Sequence, residues 1–196
     1  MIPKHQRHQG IGMTSPRTRE KLVQRLKDKG IQDERVLRTI ANTPRHVFVD
    51  EALSTRAYED MSLPIGMGQT ISQPYIVALM TQTLLEGRDK LEKVLEVGTG
   101  SGYQAAVLAG LADKVFSLER IDKLLREARR RFHRVGLHNI FTRYADGAEG
   151  WKTQAPFDAI IITAACPRVP PELLTQMADD GCLVAPVERG EGQVLI

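Results

Sequence analysis

With 196 residues, 42% of them hydrophobic, the chain can bury one good core and is too short for two full domains. Its 27 lysines and arginines against 24 aspartates and glutamates leave +3, spread over the chain rather than gathered in one run, so no nucleic-acid partner is implied. No apolar run is long enough to span a membrane, no signal-peptide core is present, and Cys166 and Cys182 lack C-x-x-C spacing and a histidine cluster. They read as small, mostly buried thiols of a soluble cytoplasmic protein without a metal.

Residues 1–14 are polar and aperiodic and read as an unstructured tail that includes His5 and His8, with Met13 an alternative start. Order is expected from Ser15, an N-cap followed by Pro16 at the first helical position. This helix turns Leu22, Val23 and Leu26 inward and stops at Gly30. A second amphipathic helix runs from about Asp33 through Val36, Leu37 and Ile40 and ends before Pro44, and residues 46–53 are irregular and partly helical. Residues 63–75 hold too many glycines and polar groups for a core element and read as a functional loop. Within it Ser72 stands where it would cap the next helix, whose Ile76, Val77, Met80 and Leu84 repeat at helical spacing before Gly87. Residues 15–90 thus form a helical and loop region placed to cover the ligand edge of a sheet built from residues 91–196.

Val94, Leu95 and Val97 are the apolar run of a strand covered on both faces. It enters Gly98-Thr99-Gly100-Ser101-Gly102, which opens a short helix from Tyr103 to Ala109. Dinucleotide sites want G-x-G-x-x-G, but here Tyr103 stands where the third glycine belongs, so the spacing argues against NAD. A second strand at residues 115–118 ends in Glu119, a carboxylate able to accept both hydroxyls of a ribose. A third, residues 140–144, is followed by Asp146, which can accept from an adenine amino group, and Gly147, which lets the ring approach. Between them Arg126, Arg129, Arg130, Arg131 and Arg134 interleave with Ile121, Leu124, Leu125, Ala128 and Phe132 as the solvated face of a helix. Residues 157–163 form a fourth buried strand, residues 171–177 a short helix stopped by Gly181, and residues 182–187 a fifth strand. The fold class is α/β: a doubly wound, mostly parallel sheet with an N-terminal helical extension.

Glu96 to Gly102, E-x-G-x-G-x-G, resembles motif I of the class I S-adenosylmethionine (AdoMet) methyltransferases. The run Leu-Pro-Ile-Gly-Met-Gly-Gln-Thr-Ile-Ser-Gln-Pro-Tyr at residues 63–75, with residues 95–104 and 157–161, is similar to the protein-L-isoaspartate O-methyltransferases, and the likeness extends from Ser15 onward. It implies a Rossmann-like fold with AdoMet as methyl donor and S-adenosylhomocysteine as product. Cofactor contacts would come from Gly98, Thr99, Gly100, Ser101, Gly102, Glu119, Asp146 and Gly147, and substrate contacts from Thr70, Ile71 and Ser72. The resemblance makes Ser72 the catalytic residue beside the acceptor rather than only a helix cap. The acceptor implied is the free α-carboxylate of L-isoaspartyl residues in damaged proteins and peptides, with no nucleic acid, membrane or obligate protein partner. Such a carboxylate is already ionised at neutral pH, so the absence of an obvious His-Asp or Cys-His pairing is no obstacle.

Two departures accompany the resemblance. Members of the family continue with two further strands that have no counterpart after Ile196, which would leave an exposed sheet edge and a more open cleft. Residues 143–147, Arg-Tyr-Ala-Asp-Gly, replace a commoner Gly-Asp-Gly. An amine methyltransferase is the alternative enzyme, although residues 163–167, Thr-Ala-Ala-Cys-Pro, lack the Asn/Asp-Pro-Pro-Tyr/Phe run that such enzymes use. A noncatalytic AdoMet-binding protein is the third reading.

Overall fold

The computed structural model describes residues 12–190 and 192–196; His5 and His8 lie outside the described residues. Gly12–Thr14, expected in the tail, instead form a 3-10 turn whose Gly12 carbonyl accepts the Thr18 hydroxyl. Helix α1 (Pro16–Asp28) has Ser15 at its N-cap and Pro16 in its first turn and buries Leu22 and Leu26. Helix α2 (Glu34–Asn42) is capped by Asp33, whose carboxylate accepts the Arg35 and Val36 amides, and buries Val36, Leu37 and Ile40 against α1. Two 3-10 turns, Arg45–Phe48 and Glu51–Arg56, follow where an irregular, partly helical segment was expected.

Residues 63–75 are not simply a loop. Strands β1 (Leu63–Gly66) and β2 (Gln69–Ile71) pair antiparallel, and Leu63, Ile65 and Ile71 are buried. Met67 and Gly68 both have positive φ, the geometry of a two-residue hairpin turn that matches strand twist. Of the glycines that suggest a loop, Gly68 is in the turn and Gly66 ends β1, and the apolar residues before them alternate as in a strand.

After α3 (Pro74–Leu84), the core sheet contains β3 (Leu91–Val97), β4 (Ala112–Glu119), β5 (Ile140–Tyr144), β6 (Phe157–Ile162) and β7 (Met177–Val184), all parallel, in the order β5-β4-β3-β6-β7. Helices α4 (Tyr103–Ala109) and α5 (Asp122–Val135) make the crossovers on the β4 side. The strand order reverses between β3 and β6, and ligands of open α/β sheets bind at the carboxyl edge of such a reversal.

The C-terminal elements differ from expectation. Helix α6 covers only Pro171–Leu174, and β7 begins at Met177 rather than at Cys182. Gln176 ends the helix early: its carbonyl accepts the Phe157 amide, drawing the chain into the sheet, and its side-chain amide bonds Glu149 and Glu172 carbonyls. The register slips between Phe157 and Ala159 opposite Met177 and Cys182, so Gly181 lies in a bulge instead of stopping a helix. Pro186 opens a separate antiparallel hairpin, β8 (Pro186–Arg189) with β9 (Gly192–Leu195), which leaves β7 as the last strand of the main sheet. Among the described residues, no helix is long and apolar enough to cross a membrane.

Gly102 joins the glycine turn to α4 at φ +90°, and a Cβ there would lie 2.6 Å from Phe132 Cε1 on α5. Phe132 is itself buried and cannot swing away. Gly102→Ala is therefore expected to destabilise the fold by about 2–4 kcal/mol, combining a left-handed backbone with overpacking. Denaturant unfolding of the purified variant measures this; a loss below ~0.5 kcal/mol would show that α4 and α5 are not held together at that point.

Candidate active site

The carboxyl ends of the strands and residues 62–80 enclose a cavity of about 740 Å³. Its floor is the turn after β3. The Gly98 and Thr99 amides both donate to the Leu118 carbonyl, at 2.9 and 3.0 Å, which ties the turn to the end of β4. A Cβ on Gly98 would come within 2.6 Å of Thr163 Oγ1, so the Thr163 hydroxyl packs directly under the turn and bonds the Gly98 carbonyl at 2.5 Å. A Cβ on Gly147 would run into Val97 Cγ1. These two glycines keep the strand ends close enough to leave one continuous cavity.

Glu119, only 6% exposed, accepts the Gly100 amide on Oε2 at 2.8 Å and the Ile121 amide on Oε1 at 2.9 Å. Each oxygen retains acceptor capacity after these bonds, and the residue lines the cavity. Asp146 accepts the Ala148 amide on Oδ1 at 3.0 Å and is otherwise exposed at the rim. Of the expected cofactor residues, Gly98, Thr99, Gly100, Ser101, Glu119, Asp146 and Gly147 line the cavity; Gly102 is turned toward α5.

Glu96 lies behind the turn with no exposed surface. The Ser117 hydroxyl donates to its Oε2 at short range, and Thr99 Oγ1 lies 2.6 Å from Ser117 Oγ. With the single Ser117 proton committed to Glu96, Thr99 is the donor of the second bond. The Ala105 amide approaches Glu96 as well, but no full hydrogen bond completes Oε1. Burial pushes the Glu96 carboxyl up to about 8, with the Glu119 charge adding to the rise and the Ser117 and Ala105 donors opposing it.

Thr70, Ile71 and Ser72 form the opposite wall. The capping role for Ser72 does not hold: the N-cap of α3 is Gln73, without a side-chain cap bond, and the Tyr75 amide is taken instead by Asp60 Oδ1 at 2.9 Å. The Ser72 carbonyl accepts Arg45 Nη2 at 2.8 Å. Arg45 is fully buried, and nothing in the local sequence separates it from surface arginines such as Arg56. Arg131 also departs from the solvated face expected of it. Its Nη1 reaches back to the Ser101 carbonyl at 3.2 Å and its side chain is 14% exposed, whereas Arg126 remains outside, paired with Asp122. Cys166 and Cys182 are free and half-buried rather than buried. Among the described residues, no cluster of three or more potential ligands is arranged for a metal.

The family model described as Protein-L-isoaspartate(D-aspartate) O-methyltransferase matches residues 17–196. The chain belongs to this family. It is 61% identical over 187 residues to the protein-L-isoaspartate O-methyltransferase of Halorhodospira halophila, covering 95% of this chain and 84% of that one. The Cellvibrio japonicus relative of the same name is 58% identical over 186 residues, with 95% and 83% covered. A solved protein-L-isoaspartate O-methyltransferase superposes with a TM-score of 0.76 at 31% identity, over 86% of this chain and 55% of that one. A Plasmodium falciparum structure described as a family member, in complex with S-adenosyl-L-homocysteine, also gives 0.76, at 26% identity over 89% and 86% of the two chains.

Glu96 makes stability depend on pH in a predictable direction. Between its ordinary value of 4.5 and about 8 the folded protein keeps a proton that the unfolded chain has released. The stabilisation is complete below the lower value and lost as pH rises through the upper one. Glu96→Gln keeps the shape without the titration, so its unfolding free energy should fall less steeply than that of the parent from pH 5 to 8. Urea unfolding at several pH values compares the two, and parallel curves would show Glu96 to be ionised in the fold.

Proposed function

We propose that the protein transfers a methyl group from AdoMet to the free α-carboxylate of L-isoaspartyl residues in damaged proteins and peptides, and that it does so in the cytoplasm. The observation that carries this reading is the shared cavity: Thr70, Ile71 and Ser72 line the same space as the glycine turn, Glu119 and Asp146. Family membership and the names of the relatives support it. The two free thiols suit a reducing compartment.

The residues fit the cofactor. The missing Cβ atoms at Gly98 and Gly147 let Thr163 and Val97 pack close against the backbone beside the cavity that the cofactor would fill. Glu119 retains acceptor sites for ribose hydroxyls, and the free oxygen of Asp146 is available to an adenine amino group. AdoMet, when bound, supplies an electrophilic methyl on a positively charged sulfur.

The chain's own contribution is placement. An α-carboxylate with a pKa of roughly 3.5 is ionised at neutral pH and needs no general base. Ser72, free of capping duty, donates its hydroxyl to one carboxylate oxygen and aims the other at the methyl. Thr70 and Ile71 hold the flanking peptide. Alignment of this kind can contribute up to about 7–11 kcal/mol. Because opposite charges are neutralised during transfer, the apolar lining from Ile71, Val77, Met80 and Ile162 helps by excluding water. The neighbouring amide nitrogen can then attack the methyl ester carbonyl and expel methanol, giving a succinimide that water reopens in part to normal aspartate.

Glu119→Ala should weaken S-adenosylhomocysteine binding by about 1–3 kcal/mol in calorimetric titration, the scale for losing a charged hydrogen-bond partner. Unchanged affinity would remove Glu119 from the cofactor site. For the acceptor, an isoaspartyl peptide should be methylated and its aspartyl isomer should not. The two share atoms and charge, so only geometry separates them. Ser72→Ala should lose most turnover on the isoaspartyl peptide while its melting temperature stays near that of the parent. Equal labelling of both peptides, or a product stable to mild alkali, would replace the repair reading with amine methylation.

A further inference from the structure

We infer that Arg45 and Asp60 are positioning residues for methyl transfer, fixing the segment that carries Ser72 against the cofactor wall. The inference rests on Ser72 meeting the acceptor carboxylate. Arg45 has no exposed surface, and its guanidinium joins three parts of the chain. Nε donates to the Ala57 carbonyl at 2.8 Å, Nη2 donates to the Ser72 carbonyl at 2.8 Å, and the group lies 4.8 Å from the centroid of Tyr103, the first residue of α4 and part of the cavity wall. Its partners are carbonyl oxygens and a ring rather than a carboxylate. Burying a cation on such terms is costly, and an apolar side chain of similar volume would serve stability at least as well. What an apolar side chain cannot do is hold a carbonyl in place.

Asp60 acts on the same segment from the other side. Its Oδ1 accepts the Tyr75 amide at 2.9 Å and its carbonyl accepts Gln73 Nε2 at 3.0 Å, while Oδ2 pairs with Lys29 Nζ at 2.5 Å. The turn that carries Asp60 is itself tied to α1, because the Tyr58 carbonyl accepts Arg25 Nη2 at 2.6 Å. Residues 72, 73 and 75 are therefore each held by a group from residues 45–60. Ser72 is held by its carbonyl, which leaves its hydroxyl for the acceptor. The cofactor turn has separate anchors in Leu118, Glu119 and Thr163. Loosening the brace should displace the acceptor and spare the cofactor.

The test uses the full chain with Arg45→Lys, Asp60→Ala, Asp60→Asn and Ser72→Ala, measuring turnover and KM on an isoaspartyl peptide, S-adenosylhomocysteine affinity and melting temperature. Arg45→Lys and Asp60→Ala should each lower turnover by ~10- to 100-fold, the cost of misplacement by about 1 Å, with cofactor affinity changed less than ~3-fold. Asp60→Asn keeps an oxygen for the Tyr75 amide and should recover most of the turnover despite losing its charge. Turnover within ~2-fold of the parent in both Arg45→Lys and Asp60→Ala overturns the inference, as does loss of turnover and cofactor affinity in step with melting temperature. Should Arg45→Lys fail to fold, the Asp60 pair decides: equal defects in Asp60→Ala and Asp60→Asn assign the effect to the Lys29 ion pair and sink the positioning role. Full activity of Ser72→Ala would overturn the underlying reading instead. An inactive Ser72→Ala beside active Arg45 and Asp60 variants would overturn this inference alone.

Discussion

The attachment of the turn after β3 to the end of β4 fixes the floor of the cavity and the groups that rise from it. Two amides of the turn share the Leu118 carbonyl, and the next carboxylate, Glu119, takes a third amide from Gly100. A parallel strand pair ends with peptide groups that have no further ladder partner, and a buried one left unpaired would cost about 1–3 kcal/mol. Here those groups are satisfied by each other across the strand ends. That leaves Glu119 rigid, partly desolvated and still able to accept. Thr163 closes the same turn from β6, so the reversal point of the sheet is pinned from both neighbouring strands.

Two buried ionisable groups flank this construction, and they answer burial differently. Glu96 can give up its charge by holding a proton, as its raised pKa indicates. Arg45 cannot, since a guanidinium stays protonated in proteins; burial only pulls its pKa down, with Tyr103, Tyr58 and Asp60 opposing. It is stabilised by carbonyl dipoles and a ring face instead. The first group supports the glycine turn through Ser117 and Thr99, and the second holds the Ser72 carbonyl.

The centre of the core sheet was legible in the sequence because β3, β4 and β6 are mostly buried and carry continuous apolar runs; residues 140–144, an edge strand without a buried residue, and the helix from Tyr103 to Ala109 also emerge with the expected bounds. The glycine turn, Glu119 and Asp146 were legible because each follows a strand at the edge where ligands bind. Three features were hidden for physical reasons. The hairpin of residues 63–71 reads as a loop until Met67 and Gly68 are seen to supply its turn. The start of β7 depends on Gln176, whose carbonyl accepts the Phe157 amide and whose side chain bonds the Glu149 carbonyl, both distant in the chain. The capping of α3 by Asp60 spans fifteen residues, beyond the reach of any local cap pattern.

The sheet order also bears on how the protein assembles. β3 lies at the centre, with β4 on one side, soon to follow in the chain, and β6 on the other, where Val94 meets Ala159. Until β6 arrives, the strand that carries the glycine turn has an unpaired edge, and closing it requires β4, α5 and β5 to be made first. Non-local parallel pairing of this kind takes on its loop-closure entropy before any contact repays it. The cavity is thus assembled from distant parts of the chain: residues 70–72 come from its first half, whereas Thr163, which fastens the glycine turn, follows β6.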